Sequence, residues 1–104
     1  MRNLNIKLAG VGYDVRITFG VMERIEQRTD RQSFIFSVTE NKPKVKDAAW
    51  IIYSAFIESG VKKTYAEIGE LCLDDWENAL AAATDIILHS LSGAPEPSAE
   101  DKKK

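Results

Sequence analysis

Leu4, Ile6 and Leu8 alternate with Asn5 and Lys7, and Tyr13, Val15 and Ile17 alternate with Asp14, Arg16 and Thr18. A period of two is that of a half-buried strand. Gly10-Val11-Gly12 between the runs is a turn signal. The two runs therefore predict a hairpin. A lone hairpin is marginal in water, so its apolar face needs a cover.

The period then changes. Met22, Ile25 and Thr29 sit at helical spacing, with Phe19 just before them and Thr18 as a cap. Glu23, Arg24, Gln27 and Arg28 fill the opposite face, and Glu26 falls at the boundary, suited to pair with a nearby arginine. Ser33–Val38 holds Phe34-Ile35-Phe36. Periodicity leaves that run open between a third strand and a short helical turn. Glu40-Asn41-Lys42-Pro43-Lys44 is a polar connection. A helix follows from about Pro43 to Ser59, with Pro43 in its first turn and Gly60 as its C-terminal cap. Between Ala48 and Ile57 only Ser54 is plainly polar, so this helix is expected at the centre of the fold.

Thr64-Tyr65-Ala66-Glu67 is a capping box that starts the next helix, with Ile68, Leu71 and Cys72 as its apolar positions. Asp74-Asp75-Trp76-Glu77 restarts a final helix with acids in its first turn, as the helix dipole favours. Its apolar face is Trp76, Leu80, Ala83, Ile87 and Leu91, and Ala79 and Ala81–Ala83 give it a thin waist. Gly93 ends it. The expectation is one α+β domain over residues 1–92, an antiparallel hairpin covered by about four helices, with Trp50, Ile52, Phe56, Leu80 and Ile87 in the core. Residues 93–104 are polar and Pro-containing and read as a disordered tail.

Composition adds bounds. Hydrophobic residues are 44%, charged residues 29% and the net charge is −2, ordinary globular values. Met1-Arg2-Asn3-Leu4 is not the apolar run of a signal peptide, and no segment approaches the roughly 20 apolar residues of a membrane span. A single cysteine, Cys72, fits a reducing compartment. A cytoplasmic protein without a membrane partner is the resulting expectation. Charge is unevenly placed: residues 1–63 carry eleven Lys/Arg against seven Asp/Glu, whereas residues 64–92 carry six Asp/Glu and no Lys or Arg. The acidic half would repel phosphates, which argues against nucleic acid.

Candidate chemistry is sparse. His89 has no second His or Cys at ligand spacing, and Cys72 has no basic neighbour in sequence to activate it. No nucleophile elbow occurs, and Gly10-Val11-Gly12 lacks the remainder of a phosphate loop. No catalytic residue, metal or cofactor is therefore expected. Two features suggest binding. Asp74, Glu77, Asn78, Ala81 and Asp85 recur at helical spacing, with Glu67 and Glu70 before them. They form either a solvated face or a surface for a basic partner, including a neighbouring copy of this chain. Phe34 and Phe36 are either core residues or, if exposed, a contact patch.

The chain resembles the tail assembly chaperones of long-tailed bacteriophages, in particular the branch encoded in gene transfer agents and related prophages. The matching features, over roughly residues 4–92, begin with Tyr13-Asp14-Val15-Arg16 entering Phe19. They continue through Ile25-Glu26 and Thr29, then Ala55-Phe56-Ile57-Glu58-Ser59-Gly60. Thr64 with Glu67-Ile68-Gly69-Glu70-Leu71 follows, then an Ala-rich helix ending Leu88-His89-Ser90-Leu91. Gly20 departs from the pattern, standing where a better helix starter is expected. The resemblance implies a non-enzymatic protein that escorts the tape measure protein, a long helical partner, with many copies along it. It further implies recruitment of tail tube subunits and absence from the finished particle. In that group a longer product can arise by frameshifting, for which the lysines Lys102–Lys104 offer an A-rich run. The rival expectations are a small regulatory or nucleic-acid-binding protein and a minor structural tail protein.

Overall fold

The two alternating runs form an antiparallel hairpin, β1 (Arg2–Leu8) and β2 (Val11–Ile17), as the computed structural model of the protein shows. The structure describes residues 2–29 and 31–92. The tail expected over 93–104, and the side chain of Leu91, lie outside the described residues. Among the described residues five helices follow the hairpin: α1 (Phe19–Glu26), α2 (Arg31–Thr39), α3 (Val45–Glu58), α4 (Tyr65–Asp74) and α5 (Trp76–Ser92).

The hairpin turn is Ala9-Gly10, with φ of 52° and 82°. Two positive φ values in a two-residue loop match the twist of the flanking strands. The turn therefore falls before Val11 and Gly12, which belong to β2, and Gly12 pairs with Lys7. Leu4 pairs with Val15 and Ile6 with Tyr13, so the apolar residues share one face. Ile6, Leu8, Val15 and Ile17 are buried on it. Helix α3 lies against β2 and α5 against β1, and these supply the cover that the hairpin needs.

Helix α3 is the centre of the fold. From Ala48 to Phe56 every residue except Tyr53 is buried. Its polar exception is satisfied: the Ser54 hydroxyl donates to the Trp50 carbonyl at 2.7 Å. The Trp50 indole N–H donates to the Arg24 carbonyl at 2.7 Å, which ties α3 to α1. Gly60 (φ 80°) ends α3, with Val61 N–H donating to the Phe56 carbonyl at 2.9 Å. Pro43 lies outside the helix, before the Lys44 cap.

Several expectations need correction. Ser33–Val38 is not a third strand; it lies within α2. The helix closes at Asn41 (φ 63°), with Lys42 N–H donating to the Ser37 carbonyl at 2.8 Å and Asn41 N–H to that of Val38 at 3.0 Å. That is a left-handed C-terminal cap followed shortly by proline. In α1 the buried pair is Val21 and Ile25, with Met22 half-buried. Phe19, the first residue of α1, is 72% exposed. In α5 the buried face is Ala79, Ala82, Ala83, Ile86 and Ile87. Leu80 and Trp76 sit half-buried at its edge, so Leu80 is not a core residue. The alanines make the contact because they let α5 close on β1 and α3 without side chains in the way.

Gly20 has a packing reason. A Cβ there would lie 2.7 Å from a Glu58 carboxylate oxygen. That carboxylate forms an ion pair with Arg24 at 3.0 Å and rests against the start of α1, where the helix dipole favours a negative charge.

Candidate functional site

The residues expected to bind do not form one surface. Phe34 is 1% exposed and belongs to the core, whereas Phe36 is 66% exposed. A strand would place positions 34 and 36 on one face; a helix turns them about 200° apart. The contact patch expected from the pair is therefore not formed, and Phe36 stands alone.

The acids divide between α4 and α5. Glu67 serves the capping box: it accepts from Thr64 N–H at 2.8 Å while its own N–H donates to the Thr64 hydroxyl at 3.1 Å. The Thr64 N–H holds its carboxyl below the usual carboxylate range, and Lys63 adds to the effect. Glu70 borders a groove between α3 and α4. Asp85 borders a different, shallow cleft of about 140 Å³ beside β1, with Asn5, Lys7, Asn78 and Ala81. Asp74 and Glu77 lie between them at the α4–α5 junction, both exposed. No ion pair involves Glu70, Asp74, Glu77 or Asp85 among the described residues. Asp75 has a structural task. It accepts from the Asn78 amide at 2.9 Å and from Ala9 N–H at 3.0 Å, fastening the hairpin turn to the α4–α5 junction. Those two bonds, Asn78 first, hold its carboxyl below the usual range.

Sequence reasoning missed the groove itself. It encloses about 480 Å³ and is lined by Val45, Lys46, Ala49, Tyr65, Ala66, Gly69, Glu70 and Leu73. Leu73 is 62% exposed. A Cβ on Gly69 would meet nothing within 4 Å. Glycine inside a helix is less stable than alanine by about 1 kcal/mol, and none of the described residues packs onto Gly69 to require it. An isolated glycine in a helical pattern was the available signal.

A second cleft, of about 230 Å³, continues from the first, since Lys46 and Tyr65 line both. Arg28, Thr29, Asp47 and Trp50 complete its lining. The Arg28 guanidinium lies 4.5 Å from the Trp50 ring centre and 5.6 Å from that of Tyr65. Tyr65 donates its hydroxyl to the Lys46 carbonyl at 3.2 Å, which fixes the ring between the two clefts. Thr29 is buried, and its hydroxyl oxygen has no hydrogen-bond partner among the described residues. Leaving such a group unsatisfied costs about 1–3 kcal/mol. These residues come from the α1–α2 connection, α3 and α4, too far apart in sequence for spacing to unite them.

The reactive side chains are occupied otherwise. Cys72 is buried, and burial pushes its thiol up to about 11. His89 Nδ1 lies 2.8 Å from the Asp85 carbonyl, so that nitrogen carries the proton. Among the described residues no cluster of His, Cys, Asp and Glu could hold a metal ion, and no helix is long and apolar enough to cross a membrane. No family model, curated protein or solved structure matches the chain.

Proposed function

We propose that this chain is a non-enzymatic tail assembly chaperone that binds the tape measure protein and helps to bring tail tube subunits to it. The observation that carries the reading is the exposed acidic charge of α4 and α5. Glu70, Asp74, Glu77 and Asp85 have no ion pair among the described residues, and among those residues no hydrogen bond engages any of the four carboxylates. Exposed acids without internal partners suit a basic surface on another protein. The resemblance in sequence order over residues 4–92 supplies the identity of that partner.

Co-expression of the full chain with the tape measure protein, followed by capture at increasing salt, tests the reading. Charge reversal by Glu77→Lys with Asp85→Lys should weaken capture and flatten its salt dependence, because exposed charges act through screened attraction. Capture indifferent to salt and to both reversals would leave the acids as solvated surface. No capture of any tail protein by the unaltered chain would refute the assignment itself.

A further inference from the structure

We propose that the α3–α4 groove and the Arg28 cleft together form a docking site for one amphipathic helix of a partner protein. The helix seats a carboxylate at the Arg28 end and basic residues beside Glu70 and Asp74. This rests on the reading of the chain as an escort of a long helical partner.

Three observations lead to this occupant. The groove is lined by the small residues Ala49, Ala66 and Gly69 together with Val45, Tyr65 and Leu73. Small residues between two helices admit the ridge of a third, and a glycine lets its backbone approach closely. An extended segment would instead seek a sheet edge, where main-chain bonds are on offer. The groove is also electrically polar along its length. At the start of α4 the cations Arg28, Lys46, Lys62 and Lys63 outnumber the acids Asp47 and Glu67, the latter engaged in the capping box. At its end stand Glu70 and Asp74. A helix with acids in its first turn and bases in its last, the order that its own dipole favours, fits that polarity in one direction only.

The third observation fixes the acidic contact. Among the described residues the Arg28 cleft holds two cations, Arg28 and Lys46, against one acid, Asp47. The Trp50 and Tyr65 rings hold the Arg28 guanidinium in place, and an arginine so positioned suits a bidentate bond to a carboxylate. Thr29 lines the same cleft with its buried hydroxyl unpartnered. A carboxylate seated there would accept from both groups.

The test uses the full chain and the tape measure protein, with affinity measured for the unaltered chain, Gly69→Leu, Lys46→Glu and Phe36→Ala. Gly69→Leu fills the groove without touching the core, so its melting temperature should equal or exceed that of the unaltered chain. Its affinity should fall by about tenfold or more, as expected at the centre of an interface. Lys46→Glu should cost about threefold or more, and Phe36→Ala should have no effect. If Gly69→Leu binds as the unaltered chain does, the groove is not the site, while the proposed function stands. If the unaltered chain fails to bind the tape measure protein, that function fails and this occupant with it. If Gly69→Leu instead abolishes self-association and leaves capture unchanged, the groove belongs to a second copy and the proposal is wrong.

Discussion

Helices α3 and α4 pack side by side, yet they answer to different demands. Along α3 the residues from Ala48 to Phe56 are buried, except for half-buried Tyr53, and the serine among them has its bond. Along α4 only Ile68 and Cys72 are buried. Its outer side presents Ala66, Gly69 and Leu73 to open space. Each local choice in α3 agrees with the fold. On α4 a glycine weakens the helix, a leucine faces water, and none of the described residues offsets either. Such departures from local consistency are expected where a protein meets something else. The contrast separates the part of the sequence that specifies the structure from the part that awaits a partner.

Substitutions should therefore act unequally on the two helices. The largest effect is expected in α3. Phe56 is fully buried, with its ring 4.7 Å from that of Tyr13. Phe56→Ala should cost about 3–5 kcal/mol and Ile52→Ala about 2–5 kcal/mol, through lost burial and the cavity left behind. Denaturant melts measure this. Unchanged melting in both variants would remove α3 from the centre of the fold.

A middle effect is expected at the start of α4, the part of that helix which the fold does need. Thr64→Ala removes the hydroxyl that accepts from Glu67 N–H and should cost about 0.5–2 kcal/mol. The pH dependence has a definite sign. The Glu67 carboxyl is lowered in the folded state, first by the Thr64 N–H. Its contribution is complete above the unfolded carboxylate value of about 4, and is lost as pH falls through the lower folded value. Asp75 behaves likewise through Asn78 and Ala9. Melting temperature should therefore decline on acidification, and the decline should be shallower in Glu67→Gln. Equal acid sensitivity in the two proteins would detach Glu67 from stability.

The same contrast explains what the sequence disclosed. The hairpin, the buried centre of α3 and the Thr64 capping box were legible because period and cap chemistry act over a few residues. Segment α2 was ambiguous because Phe34-Ile35-Phe36 is too short for its period to separate strand from helix; Asn41 ahead of Pro43 was the better signal. The face of α5 was misjudged because large residues were favoured over alanines, whereas close approach to β1 requires the alanines. Of the expected binding residues, the placement of Phe34 and the division of the acids between two helices depended on tertiary structure. The meeting of Arg28, Thr29, Trp50 and Tyr65 could not be read from spacing, since those residues come from separate elements.

The smallest expected effect is the most direct test of the claim that the outer face of α4 is not needed by the fold. Gly69→Ala adds a methyl group where nothing lies within 4 Å. It should replace a poor helix residue with the best one and raise stability by about 0.5–1 kcal/mol. Thermal melts of the two proteins side by side measure it. A higher melting temperature for Gly69→Ala is the predicted result; a lower one would show that the fold itself requires this glycine and would contradict the account.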